Sequence, residues 1–237
     1  MSVARPRLGD PLPVDDLQDR YAGWRAEKVY EWRAGRPTFR LTGPDGEVRY
    51  VKIAPAGVGN LPDEATKTRW AAEWVRVPAV IEYGSDGDRD WLMTAELSGV
   101  DTTRHPWIST DPAALAAAFA RGLRAFHDAV PVDECPFWLP VADVPVGFAE
   151  DLVVCHGDYC LPNAFFTGDV VTGYIDIGDL AVADRWVDLA VALRSLSAPY
   201  NLGPGYEEIF LSAYGAARDE AKRSFYLAAY DGLHSWS

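Results

Sequence analysis

The chain is poor in cysteine and in positive charge, and it has no long apolar run. Three cysteines in 237 residues, Cys135, Cys155 and Cys160, make an odd set without a Cys-x-x-Cys pair. That excludes a disulfide framework or a zinc ribbon as the organising device and points to the reducing cytoplasm. Only 22 Lys and Arg stand against 35 Asp and Glu, a formal net charge of −13. A surface of that sign repels nucleic-acid backbones and anionic membranes and suits a cationic small-molecule substrate, although acidity also serves solubility alone. No stretch reaches the length of a membrane span, and MSVARPRLGD carries no apolar core of a signal peptide behind its charges, so a soluble cytoplasmic protein is expected. Internal repeats and low-complexity tracts are lacking too. What the chain does have is apolar mass, 49% hydrophobic and 12% aromatic, enough to bury a core in one large domain or two small lobes. Its oligomeric state is left open.

Along the chain, FRLTGPDGEVRYVKI (39–53) predicts a hairpin around Gly43-Pro44-Asp45-Gly46, with Lys52 on its second strand. LPDEATKTRWAAEWVRV (61–77) predicts a helix with Glu64 in its first turn and Ala65, Arg69, Ala72 and Val75 roughly along one face. DWLMTAELSG (90–99) reads as a buried strand that ends at a Ser-Gly hinge. TDPAALAAAFARGLRAFHDAV (110–130) is the clearest helix: Asp111 can cap it, Pro112 suits its first turn, and Leu115, Phe119, Leu123 and Phe126 form one stripe. DLVVCHGD and VVTGYIDIGD read as short strands running into polar tips, and ADRWVDLAVALRSL (183–196) returns to helix. The fold class expected is α+β in two lobes, a β-rich N-terminal lobe over 1–97 and a mainly helical C-terminal lobe over 98–237, with functional residues in loops between short strands.

Those polar tips, HGDYCLPNAFFTGDVVTGYIDIGD (156–179), hold the chemistry. Moving a phosphoryl group from ATP needs little covalent catalysis; it needs metal ligands on the phosphates, a base for the acceptor's proton and a cation over the phosphates. Asp158 suits the base. Asn163 offers a neutral oxygen and Asp176 a charged one, the hard donors that Mg²⁺ prefers. Lys52 suits the α and β phosphates, with Glu64 either pairing with its ammonium or merely complementing a helix dipole.

VVCHGDYCLPN, GYIDIGDLAVADRWVDLAVALRSL, DRDWLMTAELSG and RYVKI resemble the aminoglycoside phosphotransferase family, most closely the aminoglycoside 3′-phosphotransferases, whose fold is similar to that of protein kinases. The likeness runs from about Phe39 to Tyr230 with one large gap. It implies ATP and Mg²⁺ as cofactors, Asp158 as the catalytic residue, Asn163 and Asp176 as magnesium ligands, and Lys52 with Glu64 as the phosphate lysine and its helix partner. It also implies that the end of WLMTAEL, at Glu96, Leu97 and Ser98, holds adenine through backbone groups. FYLAAYDGL (225–233) resembles the family's substrate-facing C-terminal segment and puts Asp231 where a ligand ammonium would meet an acid, although HSWS then follows in place of the usual finish.

Other residues have plainer readings. His156 packs the loop, Cys160 is a small apolar filler, and Asp184 and Asp188 cap a helix and pair with cations, one of them with Arg185.

The departures bear on the substrate. Only Trp138 to Val154 separates CPF from CHGD, where the resistance enzymes carry a longer helical segment that walls part of an acidic pocket. Gly178-Asp179 stands where Gly-Arg is usual, and the phosphate-covering loop RAGRPTFRL (33–41) is short, with Arg36 and Pro37 in place of small residues. The expected function is transfer of the γ-phosphoryl group of ATP to a hydroxyl of an aminoglycoside antibiotic, conferring resistance. The alternatives are a kinase of another small hydroxylated metabolite or antibiotic, and a catalytically weak nucleotide-binding protein. A metal-dependent hydrolase built on His156 and Asp158 lacks a second histidine nearby.

Overall fold

The structure is a computed structural model that describes residues 11–31, 33–139, 141, 144–148 and 150–234. The stretch MSVARPRLGD and the residues after His234 lie outside it, and with them the leader reading and most of the HSWS tail. The chain forms two compact units. One holds the described residues up to Trp70 together with Pro78–Leu97, and the other holds Ala71–Val77 and the residues from Ser98 onward.

The first unit is β-rich. After α1 (Asp15–Arg20), strands β1 (Arg25–Glu31), β2 (Pro37–Thr42) and β3 (Val48–Pro55) lead into α2 (Leu61–Ala71), and β4 (Val80–Ser85) and β5 (Arg89–Ala95) follow. Among the described residues the strands make one antiparallel sheet in the order β1-β2-β3-β5-β4. The expected hairpin joins β2 to β3, closed by the Gly46 N–H on the Gly43 carbonyl at 3.0 Å and the Gly43 N–H on Glu47 at 2.8 Å.

Alternation along the strands gives the sheet two different faces. Phe39, Leu41, Val51, Ile53 and Met93 are buried against Leu12, Val14 and Leu17 around α1. Each such side chain contributes roughly 2 kcal/mol of burial. On the other face Thr38 lies opposite Lys52, and Lys52 opposite Leu92. There Leu92 and Ala54 pack on Leu61 and Ala65 of α2, beside the half-buried Lys52.

The helix expected over 61–77 is shorter than its apolar pattern, ending at Ala71. The Val75 N–H still reaches the Ala71 carbonyl at 2.9 Å, but the Arg76 carbonyl is captured by the Tyr174 N–H at 3.0 Å, a pairing within the second unit that draws the chain out of the helix.

The second unit contains β6 (Val100–Asp101), α3 (Trp107–Thr110), α4 (Pro112–Ala129), β7 (Leu152–Cys155), β8 (Ala164–Thr167), β9 (Val170–Tyr174), β10 (Ala181–Asp184), α5 (Trp186–Ser197), α6 (Glu207–Tyr214) and α7 (Glu220–His234). Strand β7 pairs with β10, and β8 lies between β6 and β9. As the sequence predicts, Asp111 caps α4, accepting from the Ala114 N–H at 3.0 Å, and Leu115, Phe119, Leu123 and Phe126 are wholly buried. Gly122 in the same helix is where α4 meets β9, for a β-carbon there would lie 2.5 Å from Val171.

The helix expected from Ala183 begins at Trp186, because Ala183 and Asp184 pair with Val153 and Leu152 as the end of β10. Helix α4 packs on α6 and β9, and α5 packs on α7. No described helix is long and apolar enough to cross a membrane.

Candidate active site

Strand β7 delivers His156, Gly157 and Asp158 into a buried loop, and that loop is tied down by Asp188 on the first turn of α5. One oxygen of the Asp188 carboxylate accepts the His156 N–H at 2.7 Å, and the other accepts the Gly157 N–H at 2.8 Å. The Nε2 of His127, on α4, lies 2.9 Å from the first of these oxygens, while its Nδ1 lies 2.7 Å from the Tyr214 hydroxyl on α6. Asp188, His127 and Tyr214 are all buried. A carboxylate that receives two backbone amides is a strong, directional anchor.

Gly157 is required where it stands. Its φ of +89° is left-handed, and a β-carbon would sit 2.4 Å from the Asp179 carbonyl oxygen, so the two loops touch backbone to backbone. Gly157→Ala should shift the loop and lower kcat about a hundredfold, measured against an unchanged far-ultraviolet circular dichroism spectrum.

Asp158 occupies the tip. Its Oδ1 accepts the Tyr230 hydroxyl of α7 at 2.9 Å, and its Oδ2 accepts the Asn163 Nδ2–H at 3.2 Å. Burial raises the carboxyl's pKa, helped by the nearby negative charges of Asp176 and Asp179, while His156 and the Tyr230 hydrogen bond pull it down. Tyr230 itself holds its proton well above the ordinary phenol range, chiefly through burial and the charge of Asp158. It therefore acts toward the carboxylate as a donor. Tyr230→Phe should lower kcat about tenfold, the worth of one hydrogen bond to a charged group, with the KM for nucleotide unchanged in steady-state assays.

Asn163 also donates to the Asp158 carbonyl at 3.0 Å, and its own carbonyl accepts the Ile175 N–H at 3.0 Å. That last bond fixes Asp176 one residue further on. Asp176 has a φ of 58°, left-handed for a residue with a side chain, a conformation that costs on the order of 1 kcal/mol and gathers at functional positions. Asp158, Asn163 and Asp176 are thus brought together as the sequence predicts.

In the first unit Lys52 and Glu64 also meet, the Lys52 ammonium in an ion pair with the Glu64 Oε1. Glu96 lies 3.7 Å from Arg40 and gives its N–H to the Val48 carbonyl at 3.3 Å; Leu97 is buried, and the Ser98 hydroxyl accepts from Arg76. Asp231 stands exposed on α7 and pairs with Arg194 at 2.5 Å, so a ligand ammonium there would have to compete with a guanidinium.

The plainer readings fare unevenly. His156 is fully buried among Phe126, Tyr159 and Tyr174, its pKa lowered by burial, and its Nδ1 accepts the Asp158 N–H at 3.3 Å. Asp184 accepts Lys222 at 2.7 Å and caps α5 through the Trp186 N–H at 2.9 Å. Arg185 reaches neither Asp184 nor Asp188; it pairs with Asp151 at 2.6 Å. Sequence reasoning missed Tyr230, His127 and Lys222. The only signal for Tyr230 was its place beside Asp231 in a segment already suspected of facing the substrate.

A half-buried carboxylate at a strand tip, backed by an amide and a second carboxylate, with a lysine–glutamate pair on a separate sheet, is the equipment of a phosphoryl-transfer enzyme. Comparison with known proteins agrees. Residues 137–226 match the phosphotransferase enzyme family. An aminoglycoside 3′-phosphotransferase of Streptomyces ribosidificus is 34% identical, over 84% of this chain and 91% of that one. The crystal structure of an aminoglycoside-3′-phosphotransferase of type VIII superposes with a TM-score of 0.78 at 30% identity, covering 91% of this chain and 97% of that one. Aminoglycoside phosphotransferase APH(3″)-Id of Streptomyces rimosus, solved with ADP and streptomycin, gives a TM-score of 0.70 at 25% identity over 93% and 96% of the two chains. The chain belongs to the aminoglycoside phosphotransferase family, a group of kinases acting on hydroxyl groups, and has that family's two-lobed α+β fold.

Proposed function

We propose that this protein transfers the γ-phosphoryl group of ATP to a hydroxyl, the 3′-hydroxyl, of an aminoglycoside, and so protects a cell from the antibiotic in its cytoplasm. The observation that supports this most directly is the Asp158 carboxylate, half-buried and hydrogen-bonded by Tyr230 and Asn163. An acceptor hydroxyl presented to Asp158 gives it its proton as the new O–P bond forms and the bond to the bridging oxygen of ADP breaks; the phosphate ester and ADP leave, and the proton returns to water. Burial raises the base's proton affinity, which suits that role.

The residues also fit a magnesium ion. Asn163 uses its amide N–H groups on Asp158 and its Oδ1 has no hydrogen bond among the described residues, while Asp176 adds a carboxylate. This all-oxygen pair is what Mg²⁺ takes, and the ion would offset phosphate charge during transfer. Lys52, held by Glu64, is the residue to meet the α and β phosphates. The first unit is then the nucleotide-binding lobe and the second the catalytic one, divided after Leu97 as expected except that Ala71–Val77 go with the second unit. Backbone groups at Glu96, Leu97 and Ser98 are left for adenine, except the Glu96 N–H, which Val48 already holds. Asp231 is the candidate for a ligand ammonium, in exchange for Arg194.

A second reading has an observation in its favour. The second unit has a small cavity lined by Gly157, Asp179 and Tyr230 and walled by Leu139, Val141, Val187 and Ala229, mostly apolar, with Asp179 as its one acid among the described residues where a polycation would want several. A less polar hydroxylated acceptor suits that wall. ADP release from Mg-ATP decides between them: aminoglycosides bearing a 3′-hydroxyl should drive turnover and their 3′-deoxy counterparts should not. Turnover with both, or only with uncharged hydroxylated compounds, would move the assignment to the second reading. Silence with every acceptor while ATP still binds would leave a nucleotide-binding protein.

A further inference from the structure

Arg36 lies in the turn between β1 and β2, where its N–H closes onto the Arg33 carbonyl at 2.9 Å. It is half-buried, yet among the described residues its guanidinium has no carboxylate, carbonyl or hydroxyl partner. Other arginines of this sheet are engaged, Arg40 with Glu96 and Arg49 with Glu47. In a chain with 35 acidic residues to 22 basic ones, an unmatched, partly desolvated guanidinium is unfavourable unless an anion comes to it.

Its position says which anion. A β-carbon on Gly59 would lie 3.8 Å from the Arg36 Nη1 and 3.5 Å from the Ala54 Cβ. Ala54 follows Lys52 by two residues on β3, and both face α2, since Ala54 packs on Leu61 and Ala65 while Lys52 pairs with Glu64. Arg36 therefore lies beside Gly59, between β3 and α2, on the same face of the sheet as the lysine assigned to the phosphates.

Resting on the phosphotransferase reading above, we infer that Arg36 is a second phosphate-binding cation of the nucleotide site, gripping the polyphosphate of ATP alongside Lys52. A guanidinium presents two parallel N–H donors in a fixed fork that matches a pair of phosphate oxygens, whereas a lysine binds as a flexible point charge. Such a grip answers the loss of the usual small residues from the phosphate-covering loop: the loop here binds with a side chain instead of enclosing the phosphates with backbone alone.

The test is calorimetric titration of the full chain with Mg-ATP, Mg-ADP and adenosine, for wild type, Arg36→Gln and Arg36→Lys. Arg36→Gln should weaken ATP and ADP about tenfold to a hundredfold and leave adenosine unchanged, with Arg36→Lys recovering part of the loss. ATP affinity in Arg36→Gln equal to wild type would overturn the inference and leave the phosphotransferase reading standing. A parallel loss of adenosine would also overturn it, assigning Arg36 to the shape of the turn. Wild-type protein that is folded and binds none of the three would overturn both readings.

Discussion

Asparagine in place of Asp158 is expected to lower kcat by about 10²–10⁴ and to leave ATP affinity essentially where it was. The substitution keeps the shape of the side chain, and the asparagine Oδ1 can still accept the Tyr230 hydroxyl that now reaches Asp158 at 2.9 Å. What disappears is the ability to take a proton. Single-turnover transfer with saturating Mg-ATP and acceptor measures the loss, and equilibrium titration with ATP measures the retention. A variant that keeps most of its rate would remove Asp158 from the reaction and leave its raised pKa without a functional account. A variant that also loses ATP would show that the carboxylate holds up the nucleotide site and is not merely its base.

Asp188→Ala should have the largest effect on stability. The wild-type carboxylate is wholly buried and receives the amides of His156 and Gly157 and the ring of His127. Alanine would leave all of them unmatched in the interior, and at about 1–3 kcal/mol for each buried group left without its partner the loss is about 3–5 kcal/mol in all. At roughly 2–4 °C per kcal/mol for a protein of this size, the thermal transition should fall by roughly 10 °C. Activity should fall with it even at temperatures where the variant is folded, because the displaced amides are those that aim Asp158. His127→Ala removes one of these partners and spares the two amides, so it should cost less than half as much in differential scanning calorimetry.

Much of the fold was legible because its elements carry local signals. Helix α4 has its cap, its proline and its apolar stripe within one run, and the β2–β3 hairpin announces itself through a turn cluster between two β-rich strands. The pairing of Lys52 with Glu64 and the gathering of Asp158, Asn163 and Asp176 followed from motif spacing and from likeness to a family. What stayed hidden depends on distant partners. The end of α2 is set by Tyr174, the start of α5 by pairing of β10 with β7, and the choice of Asp151 by Arg185 has no sequence signature at all. Asp188 was read as structural, yet neither its partners on the loop that carries Asp158 nor His127, 61 residues away, could be named in advance. Tyr230 reaches Asp158 across 72 residues, and one aromatic residue in an amphipathic helix looks like any other.

Tyr230 also has an outward side. The Arg194 guanidinium lies 4.7 Å from its ring centre and pairs in turn with the exposed Asp231. Selection therefore has two kinds of access to Asp158, the residue proposed as the base. Changes at Asp188 or His127 would strike the buried scaffold and cost stability whatever they did for the substrate. Changes at positions 194 and 231 reach Asp158 through one solvent-facing chain of contacts and leave the core intact. A lineage adapting to a new antibiotic would accumulate its differences there, while the clamp beneath the Asp158 loop stayed the same.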